Sequence, residues 1–240
     1  MSQDAPGGIL TLTAQNGDID LGAGTLVSVG GGKGAAGTLQ LFAENGTVDF
    51  GGTIDAHAPD GGGSFTLDTR GAFDLASLGA AANAEGFTNA LDIRTQTGDL
   101  ILAQGQQLVA GSVKLTADGG LLTVAGTIDT SGTNGGDIDL YGADGVTLTG
   151  SAVIDAHADG YAATDTRQAA AGNVCSVRLV RAPSPVASGA MINVAANAAW
   201  RPTCALCREQ RGNTIITSRA IRAARLRSAP RSSRNPDRTR

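Results

Sequence analysis

The chain has 240 residues, room for one or two ordinary domains, but 35 of them are Gly and only 3% are aromatic. So few large rings exclude a wide globular core and fit a narrow one of stacked aliphatic side chains. The net charge of −4 hides two opposite parts: residues 1–166 hold 20 of the 22 acidic residues and 4 of the 18 cationic ones, leaving 2 and 14 to residues 167–240.

The start, MSQDAPGGIL, has neither a positive n-region nor an apolar h-region, so no secretory signal is read there. No run approaches the roughly 18 apolar residues of a membrane span. All three cysteines, Cys175, Cys204 and Cys207, lie beyond residue 166, so no disulfide framework supports the first part.

From residue 9 a unit of about 25 residues recurs six times, which marks a solenoid. Each unit divides into three short alternating segments bounded by Gly, Asn and Asp, the pattern of strands joined by turns. The first unit places Leu10/Leu12, Ile19/Leu21 and Leu26/Ser28 inward, with NGDIDL at 16–21 as its central phrase. The second places Leu39/Leu41, Val48/Phe50 and Ile54/Ala56 inward and carries NGTVDF at 45–50 and GTIDAHA at 52–58. In the third the inward pairs are Phe65/Leu67, Phe73/Leu75 and Leu78/Ala80. AANAEGFTNA at 81–90 follows with no strong turn signal, which makes the entry to the fourth unit the weakest join. The fourth unit supplies Leu91/Ile93, Leu100/Leu102 and Leu108/Ala110. The fifth has Val113/Leu115, Leu122/Val124 and Ile128/Thr130, and the sixth Ile138/Leu140, Val146/Leu148 and Ile154/Ala156. Residues between the inward positions are mostly polar, because successive side chains of a strand point to opposite faces. Three strands per coil with the same apolar positions in every coil predict an all-β parallel β-helix of about six to seven coils. Six coils at roughly 4.8 Å make a rod about 29 Å long. A β-sandwich is the competing all-β reading, but it does not account for a three-part unit repeated six times.

The tandem phrases resemble the repeat regions of filamentous haemagglutinin-type adhesins, the large exoproteins of bacterial two-partner secretion. The resemblance covers about residues 7–200, with LVRAP at 179–183 similar to that family's LRAP phrase. It implies a right-handed β-helical shaft, export through an outer-membrane partner transporter, adhesion to a host-cell or glycan receptor, and a secreted or bacterial cell-surface location. It brings no catalytic residue with it. The chain departs from the family in its shortness and in showing neither signal peptide nor secretion domain. The organisation expected is repeats over 7–166, a degraded further coil over 167–200, and a disordered Arg-rich tail over 201–240. In that tail all cations are Arg, mixed with Ala, Ser and Pro, as in a GC-rich gene translated out of frame. A one-base shift restoring NG and GTID phrases in the nucleotide sequence would establish that hypothesis, and its absence would sink it.

No cofactor and no catalytic group is expected. His57 and His157 fall at equivalent places four coils apart, roughly 19 Å by strand spacing, too far to share an ion; both read as exposed residues closing a third strand. Asp20, Asp49 and Asp74 fall at one position in consecutive coils and are the weak candidates for Ca²⁺, with a solvated acidic face as the plainer reading. The four cations of the repeats, Lys33, Arg70, Arg94 and Lys114, are scattered and mark no groove. Cys204 and Cys207 have zinc or redox spacing but lack partners for a four-ligand site. The tail lacks the interleaved aromatics of a nucleic-acid binder. The function expected is a shaft segment that binds surfaces without catalysis. The alternatives are a polysaccharide lyase or hydrolase on the same scaffold, or a non-functional gene remnant.

Overall fold

A computed structural model describes residues 5–76, 78, 84–133, 135–158, 177–180, 186–193 and 213–215. The chain winds as a β-solenoid whose strands stack in parallel from coil to coil, with about five turns between the first and sixth rungs. The long wall contains β1 (Ile9–Ala14), β4 (Thr38–Ala43), β7 (Ser64–Thr69), β8 (Ala90–Thr95), β11 (Ser112–Ala117) and β14 (Asp137–Gly142) in that spatial order. β17 (Val177–Val180) adds in parallel to β14, and β19 (Asn213–Ile215) pairs antiparallel with β17. The second wall is formed by β2 (Ile19–Leu21) with β5 (Val48–Phe50), and separately by β9 (Leu100–Leu102), β12 (Leu121–Val124) and β15 (Gly145–Leu148). The third is β3 (Leu26–Ser28) with β6 (Thr53–Asp55), and separately β10 (Gln107–Val109), β13 (Thr127–Asp129), β16 (Val153–Asp155) and β18 (Met191–Asn193).

The registers explain why alternation was so regular. Leu39, Phe65, Leu91, Val113 and Ile138 stand on one another in the long wall, as do Leu41, Leu67, Ile93, Leu115 and Leu140. All ten are at most 1% exposed, so each contributes roughly 1.5–3 kcal/mol of burial. Leu100, Leu122 and Val146 form the second column, and Leu108, Ile128 and Ile154 the third. The small residues closing the third wall, Ala56, Ala110, Thr130 and Ala156, are buried as expected.

Two expectations are corrected. In the first coil Val27 and Val29 face inward, not Leu26 and Ser28, and Leu26 is 69% exposed. Aligning Thr25 with Thr53 on their shared Gly-Thr phrase shifts the strand by one residue, whereas the structure pairs Leu26 with Thr53 and Val27 with Ile54. The turns from second to third wall hold four residues at 22–25 and 103–106 but two at 51–52 and 125–126. A difference of two keeps side-chain parity, and a slip of one reverses it.

The second correction concerns the third coil. Leu75, Ala76 and Leu78 are helical, so among the described residues no second or third strand forms there, and Ala80 lies outside them. The apolar residues remain inward: Phe73, Leu75, Leu78 and Phe87 are buried. Where the second and third walls are interrupted, aromatic rings pack together inside the coil. Phe50 lies 5.8 Å from Phe65 and 6.0 Å from Phe73, and Phe65 lies 5.7 Å from Phe87, centroid to centroid. The long wall alone crosses this coil unbroken, through β7 and β8.

In the segment 167–200, β17 lies on the long wall and β18 on the third. Of the segment 201–240 only Asn213–Ile215 is described, and Cys175, Cys204 and Cys207 lie outside the described residues.

Candidate functional site

The outward face of the long wall follows directly from strand alternation. One row runs Thr11, Gln40, Thr66, Asp92, Lys114 and Asp139, and its neighbour runs Thr13, Phe42, Asp68, Arg94, Thr116 and Tyr141. Two cations on this face pair with aspartates of neighbouring coils. Arg94 donates from Nε to Asp118 at 2.7 Å and from Nη1 to Asp68 at 3.0 Å, while Lys114 Nζ donates to Asp92 at 3.1 Å. The Asp118 hydrogen bond, first of all, holds the Arg94 guanidinium above its ordinary value. Such exposed pairs contribute little individually, about 0–1 kcal/mol, but they leave a flat, mixed-charge surface.

Arg70 lies off this wall and donates to Asn45 Oδ1 at 2.7 Å, and Lys33 is exposed in the Gly-rich loop. Four cations that looked scattered in sequence are therefore three inter-coil contacts and one exposed side chain.

The aspartates have a structural task that the repeat phrase conceals. Asp18 Oδ1 accepts from the Thr47 amide of the next coil at 2.7 Å and from its hydroxyl at 3.0 Å. These bonds lower the Asp18 carboxyl below its usual range, the amide contributing most. Asp99 does the same for the Leu121 amide at 2.8 Å. At the end of the third wall, Asp55, Asp129 and Asp155 each accept from the amide two residues on, at 3.1, 2.9 and 3.1 Å.

Of the three Ca²⁺ candidates, Asp20 and Asp49 are register partners in adjacent coils, with both side chains exposed. Asp74 is in no strand; its Oδ1 accepts from the Ala76 amide at 2.8 Å. The expected column of three is thus a pair plus a turn-former.

His57 and His157 close equivalent turns. Each presents Nδ1 to the aspartate two residues before it, at 2.8 Å for Asp55–His57 and 2.6 Å for Asp155–His157. The surroundings differ. His57 is 63% exposed, and its partner Asp55 also accepts from the Ser28 hydroxyl, at Oδ2, at 2.9 Å. His157 is 30% exposed, and Asn193 donates to Asp155 Oδ1 at 3.0 Å. Burial alone would raise the Asp155 carboxyl, but hydrogen bonds from the His157 ring and amide and from Asn193 bring it below its ordinary value. Asp55 is lowered too, chiefly by the His57 ring.

Sequence reading missed one neighbour. Glu85 returns from the irregular third coil to Asp55 and His57, and one ligand atom from each of the three lies within 4.8 Å of the other two. AANAEGFTNA offered no turn phrase from which that return could be read. Comparison of the chain with protein-family models, curated proteins and solved structures finds no significant match to any of them.

Proposed function

We propose that the chain is a structural and binding segment of the shaft of a secreted, filamentous haemagglutinin-like adhesin, attaching to surfaces without catalysis. The supporting observation is the long wall, whose outward rows continue past the third coil where both other walls are interrupted. A flat sheet bearing Thr, Gln, paired charges and the rings of Phe42 and Tyr141 suits repeated weak contacts with a glycan or host-cell surface. Many such contacts along one rod gain strength through multivalency and need no deep pocket. In this reading an outer-membrane partner transporter exports the parent protein, and the location is extracellular or on the bacterial surface.

The test is binding of the purified chain to glycan arrays and to epithelial cells, beside a Phe42→Ala/Tyr141→Ala double variant. Saturable binding by the native chain that weakens in the variant is expected. Equal retention of both proteins, or of neither, would remove the reading.

A further inference from the structure

We infer that Asp55, His57 and Glu85 form a site for a divalent transition-metal ion, of which Zn²⁺ is the natural example. The turn at 55–57 comes first: Asp55 Oδ1 accepts from the His57 amide and faces its Nδ1, which fixes the imidazole before any ion arrives. Glu85 is set beside them by the main chain, because the Ala56 amide donates to the Glu85 carbonyl at 2.7 Å. This bond lies where the next coil would normally stack on the third wall, so loss of that strand delivers a carboxylate to the turn.

The donor set decides the ion. One imidazole with two carboxylates suits borderline ions such as Zn²⁺, whereas Ca²⁺ and Mg²⁺ take oxygen ligands throughout. With neutral His57 the three ligands carry two negative charges, which a dication cancels. Among the described residues, no Lys or Arg ion pair engages Asp55 or Glu85. The two carboxylates therefore repel unless a cation lies between them. The exposure of His57 leaves room for water in the remaining positions.

The chain contains its own control. The turn at 155–157 has the same Asp–His pair, and each aspartate accepts one further side-chain donor, Ser28 at Asp55 and Asn193 at Asp155; among the described residues only the first turn has a second carboxylate, Glu85, beside it. The Asp–His turn alone is therefore an architectural element, and Glu85 makes the first copy a site.

The experiment is zinc titration of the full chain by calorimetry, with Co²⁺ absorption as the coordination probe. Cys175, Cys204 and Cys207 are replaced by Ser so that thiolates cannot contribute. One Zn²⁺ per chain is expected, with affinity falling more than about tenfold in His57→Ala and in Glu85→Gln and unchanged in His157→Ala. Glu85→Gln keeps the main-chain bond to Ala56, so circular dichroism like that of the parent separates lost ligation from lost fold. No zinc uptake, equal loss in His157→Ala, or affinity untouched by Glu85→Gln would each overturn the site.

Discussion

Phe65 in β7 and Phe87 near the end of the third coil meet edge to face with their centroids 5.7 Å apart. They stand near the two ends of the same coil, and both are fully buried. Their contact fastens the one coil that lacks two of its walls. Phe87→Ala would leave a cavity that no neighbouring strand can close, at a cost of about 3–5 kcal/mol. Phe42→Ala, on the outward face, should cost only about 0.2–1 kcal/mol. Urea denaturation of both variants checks the contrast, and similar losses would show that the third coil is not held by its rings.

Thr69 and Thr95 occupy the same inward register position in adjacent coils. The Thr69 hydroxyl donates to the Gly46 carbonyl at 3.1 Å, whereas the buried Thr95 hydroxyl has no hydrogen-bond partner among the described residues. Thr95→Val removes an unsatisfied group while keeping the shape, so it should leave stability unchanged or raise it by up to about 1 kcal/mol. Thr69→Val breaks a bond and should lower stability by about 1 kcal/mol. Thermal unfolding of the two variants reads opposite signs if the two hydroxyls differ as described.

Gly46 stands over Gly17 at the first corner of the rod. A Cβ at residue 46 would fall 2.0 Å from the Gly17 carbonyl oxygen, a backbone atom with no room to retreat. Gly46→Ala should therefore destabilise by about 1–3 kcal/mol. Gly8→Ala places its Cβ in open space and should be nearly neutral. Melting temperatures of the two proteins decide the matter.

The carboxyls of Asp18, Asp55 and Asp155 all titrate below their ordinary value of 3.8. A group whose folded value is depressed contributes stability that is present above the unfolded value and is lost as pH falls through the folded one. Melting temperature should accordingly drop as pH is lowered beneath about 3.8. Asp155→Asn should start less stable at neutral pH and show a shallower acid slope, since one of the groups that must be protonated is gone. A slope equal to the parent's, recorded from about pH 5 to about pH 2, would refute this.

Most of the fold could be read because a strand's period of two and a repeat's fixed length reinforce each other. The columns through Leu41 and Ile128 needed no structure to find. Leu26 was misplaced because the Gly-Thr phrase is a turn signal, and the turn before it holds two more residues than the turn at 51–52. Apolar content did survive where strand structure failed: Phe73, Leu75 and Leu78 were expected inside and are inside, although in other backbone conformations. The Asp–His pairs were visible as IDAHA, but their difference was not, because Glu85 and Asn193 reach them from 28 and 36 residues further along the chain. Glu85 comes from an irregular segment, which leaves no periodic trace, and Asn193 from a coil whose repeat phrase is degraded.

The break at the third coil also has a mechanical meaning. Between most neighbouring coils strands pair on all three walls, but on both sides of the third coil only the long wall is joined by paired strands among the described residues. A tensile load along the axis would be shared elsewhere and concentrated here, opening the rod from the side of the missing walls while the long wall serves as the hinge. The same coil that fills its interior with phenylalanine is thus where the rod would part first.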